Sequence, residues 1–183
     1  MRVVNALVHT IDRISELIGQ LFSYLCVLMV LVTCYIVITR YIFNQGSIAI
    51  QESVIYINAM LFMLTAGFTL KHNGHVRVDV FYSHASVRYK AWVDFLGCIF
   101  LLIPVCIFIF WVSWSYVVSS WSIHEASGEA GGLPYVYLLK TLIPLMCALL
   151  ILQGVAEALR NFSKLFLTTT PQELPEEEAG NVL

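Results

Sequence analysis

The chain has 183 residues, 59% of them hydrophobic and 12% charged, with a formal net charge of −2 at pH 7. A soluble domain carries about 25% charge, so half the usual charge is missing. Four acids, Glu173 and Glu176 to Glu178, fall in the last eleven residues, which leaves a mildly basic body, no nucleic-acid footprint and no room for a second, soluble domain.

Residues 3–18 carry Val4, Leu7, Ile11, Ile14 and Ile18 on one stripe of a helix, with Asn5, His9, Asp12, Arg13 and Glu16 elsewhere on it. This spacing predicts an amphipathic interfacial segment that leads into the first membrane span, the alternative being an extension of that span as one long tilted helix. The first apolar run, Leu21–Ile38, is too long for a cleavable signal core and lacks an Ala-x-Ala exit. It is expected to remain as an anchor. Three further runs follow, Val54–Leu70, Phe95–Val118 and Leu138–Val155. About 20 helical residues cross a hydrocarbon core of about 30 Å, so each run is close to spanning length. None alternates with a period of two, which rules out barrel strands.

The predicted fold is therefore an all-α integral membrane protein of four transmembrane helices. Spans are placed at about 17–42, 52–71, 88–118 and 134–160, within a membrane domain of residues 1–165. Residues 166–183 form an acidic, Pro-containing tail expected to be disordered. Pro104 and Pro144 lie inside the third and fourth runs, where a missing backbone donor predicts kinks.

Lys and Arg set the orientation. Arg2, Arg13, Lys71, Arg77, Arg88, Lys90, Arg160 and Lys164 share one side, and only Arg40 and Lys140 fall on the other. The positive-inside rule places both termini and the second connection in the cytoplasm. The first and third connections then face outward. Tyr41, Phe43, Tyr56, Trp114, Trp121, Tyr135 and Tyr137 gather near that outer boundary, and Trp92 marks the inner one.

Little in the spans invites chemistry. His9, His72, His75, His84 and His124 all lie in end segments or connections, out of reach of a buried haem. No His-x-x-x-His or Glu-x-x-His pair is present, so neither a catalytic residue nor a cofactor or metal site is expected. Cys26, Cys34, Cys98, Cys106 and Cys147 all lie within apolar runs, as small fillers. No carboxylate occupies the first span, as a self-sufficient small exporter would need. A haem- or quinone-binding oxidoreductase subunit and a homodimeric exporter are the alternatives these absences oppose.

The charges that touch the spans sit near their ends. Arg40, Glu52, Glu125 and Lys140 share the outer side at similar depth with opposite signs. They predict a polar cluster that contacts a partner, with Lys140 the deepest member, the alternative being that each charge snorkels alone to the headgroups. On the inner side, Lys90 with Asp94 and Glu157 with Arg160 have helix-pair spacing.

Four short strings, taken in order, carry a family likeness. They are Arg40-Tyr41-Ile42-Phe43-Asn44, then Gly74-His75-Val76-Arg77-Val78-Asp79, then Trp92-Val93-Asp94-Phe95-Leu96-Gly97, and finally Pro134 with Lys140, Ile143-Pro144 and Leu152-Gln153-Gly154. Over residues 14–160 the chain resembles the small membrane subunit of tripartite ATP-independent periplasmic (TRAP) transporters, the DctQ-like family. Within these strings the resemblance marks Asn44, Gly74, His75, Arg77, Asp79, Asp94, Pro144 and Gln153 as structural positions. This chain has Asn73-Gly74 where the family usually has Gly-Gly, and keeps only Glu52 of a pair of acids.

The resemblance implies a non-catalytic scaffold in the bacterial inner membrane. Its partners would be a large multi-span subunit that binds substrate and sodium and moves as an elevator, a periplasmic substrate-binding protein, and membrane lipid. The cargo it implies is an organic acid.

Overall fold

The computed structural model describes residues 2–75 and 86–166, with residues 2–5 and 87 described by their backbone. Arg77, Asp79, His84 and the tail 167–183 lie outside the described residues. Helices α1 (Arg2–Ser23) and α2 (Leu25–Ile42) follow one another, and Tyr24 between them keeps helical dihedrals. Then come α3 (Ile48–Leu64), α4 (Ala66–Lys71), α5 (Val87–Gly97), a π-helical turn (Cys98–Leu102), α6 (Ile103–Ser122) and α7 (Val136–Phe166). These elements make four helices long and apolar enough to cross a membrane: Ala6–Ile42, Ile48–Lys71, Arg88–Ser122 and Val136–Phe166. With 24 to 37 residues each, they measure about 36–55 Å at 1.5 Å per residue and overrun the hydrocarbon core.

Helix α7 is the axis of the bundle. It packs against α1, α3, α4, α5, the π turn and α6, whereas α2 leans chiefly on α3 and, less, on α1. Consequently α2 has no buried residue. Close approach is made by small side chains, as expected where lipid offers no hydrophobic drive between helices. A Cβ added at Gly19 of α1 would stand 2.2 Å from Cγ of Phe68, so the ring of α4 lies directly on that glycine. A Cβ at Gly154 of α7 would stand 2.7 Å from Cδ2 of Leu102 on the π turn.

The two prolines behave differently. Pro104 cannot donate to the carbonyl four residues back, and the wider π turn sits over that gap, with the Ile103 N–H reaching Cys98. Pro144 is buried, and α7 runs through it as one helix.

Left-handed residues explain two of the motif strings. Helix α2 ends at Asn44, with φ of 50°, and the next N–H, of Gln45, returns to the Thr39 carbonyl at 3.1 Å. Helix α4 ends at Asn73, with φ of 53°. There the Asn73 N–H bonds the Leu70 carbonyl at 3.1 Å and the Gly74 N–H bonds that of Thr69 at 2.9 Å. Asparagine is the side chain that best tolerates this conformation after glycine. The Asn73-Gly74 departure from Gly-Gly therefore preserves the turn.

Candidate functional site

Polar groups gather at two places, separated along α7. Lys140 and Gln153 are 13 residues apart, about 20 Å, and Arg160 lies about 10 Å further on.

The first place is where α1 crosses α4 and α7. Ile11, Ser15 and Gly19, spaced by four, form the buried face of α1. Gln153 is fully buried and takes the Ser15 hydroxyl on its side-chain oxygen at 2.7 Å. Its amide nitrogen donates to Asp12 Oδ1 at 3.0 Å. Arg160 grips both Asp12 oxygens, at 3.0 and 2.8 Å, and also pairs with Glu157, which takes the Asn161 amide at 3.3 Å. Next to it, Glu16 accepts from Lys71, with His72 at 3.0 Å, and Lys71 also reaches the Asp12 carbonyl at 3.3 Å. Three cationic or imidazole groups and three carboxylates thus tie the N-terminal helix to the bundle. The pair expected between Glu157 and Arg160 is one strand of this net.

Sequence reasoning placed Asp12 and Glu16 only on the polar side of a surface helix and missed their partners. A signal was there. Asp12, Ser15, Glu16 and Gly19 share a face at spacings of three and four, and Gln153, Glu157 and Arg160 do the same on the last helix.

The second place is the third connection. Helix α6 ends at His124, with φ of 46°. The His124 N–H bonds the Trp121 carbonyl at 3.2 Å and the Glu125 N–H bonds that of Ser120 at 3.0 Å. This cap aims Glu125 at Lys140, and the two form an ion pair. The ammonium also lies 3.9 Å from the centre of the Tyr116 ring, a favourable cation–π position. Trp121 donates to Thr141 at 2.9 Å and packs edge-on against Tyr137 with centroids 4.7 Å apart.

The structure divides Arg40, Glu52, Glu125 and Lys140. Glu125 and Lys140 pair. Glu52, from the first turns of α3, instead accepts from the Ser127 hydroxyl and, at 2.6 Å, from the Leu133 N–H. Arg40 lines a separate polar cleft with Asn44, Gln45, Gly46 and Gln51 and makes no ion pair among the described residues. Of the other motif positions, His75 follows the α4 cap as an exposed residue, and Asp94 shares an apolar groove with Glu157.

The hydrogen bond from Lys140 holds the Glu125 carboxyl below its ordinary range. A depressed carboxylate contributes stability above its unfolded pKa and loses it as pH falls through the folded value. Acidification through the lower carboxylate range is therefore expected to loosen the third connection from α7. Tryptophan fluorescence of Trp121 during an acid titration measures it. A signal that stays flat until the whole bundle unfolds would contradict it.

Among the described residues no group of three His, Cys, Asp or Glu side chains is placed to hold a metal ion. Four membrane-length helices with charge paired at the two ends are the architecture of a multi-pass helical membrane protein. The family described as tripartite ATP-independent periplasmic transporters, DctQ component, matches residues 29–164. The chain belongs to that family: it is a small membrane subunit of a TRAP transporter, a transport component of the inner membrane and not an enzyme. The family works with a large membrane subunit and a periplasmic binding protein. No curated protein and no solved structure matches the chain.

Proposed function

We propose that this subunit is a fixed scaffold for the large elevator subunit of a sodium-coupled organic-acid uptake system, and that its third connection helps dock the periplasmic binding protein. Both termini and the second connection face the cytoplasm in this reading. The supporting observation is how the polar groups are spent. The charges of α1, α4 and α7 close on one another in one net and Lys140 closes on Glu125, which leaves open the polar cleft at Arg40, at the end of its span. What else remains free is apolar and runs the length of the molecule. Val27, Val30, Leu31 and Tyr35 of α2 are exposed, as are Phe108, Trp111 and Val112 of α6. Contiguous apolar faces of this kind suit another membrane helix or lipid and suit no small anion.

The test joins sidedness with transport. Cysteines placed at Ser47 and Gly128 are expected to label from outside intact cells, and one at Lys164 only after permeabilisation. Reconstituted alone, the chain is expected to move no organic acid, whereas with the large subunit and loaded binding protein uptake appears. Labelling of opposite sidedness would overturn the orientation, and uptake by the chain alone would overturn the scaffold role.

A further inference from the structure

We infer that Glu52 is a positioning residue that presets the 125–135 connection as a rigid platform for the periplasmic binding protein. This rests on the docking reading above and names the device behind it.

The connection is built around the Glu52 carboxylate. One oxygen takes the Ser127 hydroxyl and the other the Leu133 N–H, so two points of the loop, six residues apart, are pinned by one side chain of α3. The rest of the loop closes over that pin. The Ser127 N–H bonds the Leu133 carbonyl at 3.0 Å, the Gly132 N–H bonds that of Glu129 at 3.0 Å, and the Glu129 N–H bonds the Ser127 hydroxyl oxygen at 3.2 Å. At the far end, the Val136 N–H returns to the Glu125 carbonyl at 3.1 Å. The chain passes so near the pin that a Cβ at Gly132 would stand 2.5 Å from Ser127 Oγ and 2.8 Å from Glu52 Oε1.

The opposite side of the loop is bare. Gly128, Glu129, Ala130 and Gly131 are exposed, and a Cβ added at Gly128 or Gly131 would meet nothing within 4 Å. A tip of small residues lets another protein's backbone come close. Glu129 supplies one carboxylate there for a basic side chain. Ordering the loop before contact removes an entropy cost from binding, so the pin raises affinity without touching the partner. Glu52 lies beneath the platform, part-buried in the first turns of α3. It acts through the loop.

The experiment uses the full transporter in proteoliposomes, with loaded binding protein varied to saturation, and reads apparent KM separately from Vmax. Gly128→Trp adds bulk where nothing inside the chain is disturbed. Glu52→Ala and Ser127→Ala release the pin. We expect all three to raise apparent KM, Gly128→Trp and Glu52→Ala by about tenfold and Ser127→Ala by about threefold, as preorganisation losses do. Vmax and copurification with the large subunit are expected to hold. If Gly128→Trp leaves KM unchanged, docking at this connection falls and the inference with it. If Gly128→Trp raises KM while both pin variants leave it alone, docking stands and the role of Glu52 is overturned. A fall in Vmax at unchanged KM also overturns it, since Glu52 would then serve assembly. Should Glu52→Ala fail to assemble, Ser127→Ala decides the matter alone.

Discussion

Gln153→Leu is expected to lower the thermal stability of the purified subunit and to free its N-terminal helix. Leucine nearly conserves the volume, so the change isolates the polar term from a cavity term. Gln153 is fully buried and joins Ser15 to Asp12. Its loss leaves the Ser15 hydroxyl, itself 7% exposed, without that acceptor. An unsatisfied buried polar group costs about 1–3 kcal/mol. The hydroxyl can turn back to the carbonyl four residues earlier, and Asp12 keeps Arg160, so the lower half of that range is expected. Gln153→Glu should be worse, because it sets a second carboxylate against Asp12, 3.0 Å from the present nitrogen. Two readouts separate the effects. A thermal melt in detergent follows the bundle, and tryptic cleavage at Arg13, exposed on α1, follows the release of that helix. A Gln153→Leu protein that melts like wild type and resists trypsin equally would show that the net holds nothing.

The division between what could and could not be read from the residues has a physical basis. The spans were legible because length and apolar composition alone decide whether a helix crosses a bilayer. The family strings were legible because they sit at caps and close approaches, where few side chains fit: Asn44 and Asn73 at left-handed turns, Gly154 under Leu102. The α1–α7 net was not. Asp12 and Arg160 are 148 positions apart, and a charge on an amphipathic helix reads as solvated until its partner is found. For Arg40, Glu52, Glu125 and Lys140 the sequence offered a position near the end of a helix, but not the azimuth around the bundle. Two residues at one depth on different helices face each other only if the helices are neighbours turned the right way. That is why one pair forms, one acid turns to backbone and hydroxyl donors, and one arginine stands apart.

That division makes Lys140→Ala and Arg40→Ala unequal, and Lys140→Ala is expected to damage uptake and assembly far more. The Lys140 side chain is 13% exposed, against 32% for its partner Glu125. It also caps the Tyr116 ring of α6, so one ammonium joins α6, the third connection and α7. Removing it strands Glu125 where the α6 cap has aimed it. A stranded partner costs more than a lost exposed contact. It also withdraws the charge that faces Tyr116. Lys140→Arg should restore part of the function, because a guanidinium keeps both the charge and the ring contact, though with a planar fork in place of a compact head. Arg40→Ala removes a cation that holds no carboxylate among the described residues, so no internal partner is left behind. An exposed charge of this kind contributes little. The measurements are substrate uptake in cells and copurification of the large subunit, with Lys140→Ala, Lys140→Arg and Arg40→Ala compared at matched expression. If Lys140→Ala and Arg40→Ala give equal losses, the cation pairing of α7 is no more than snorkelling to headgroups, and the third connection owes its position to Glu52 and its backbone bonds.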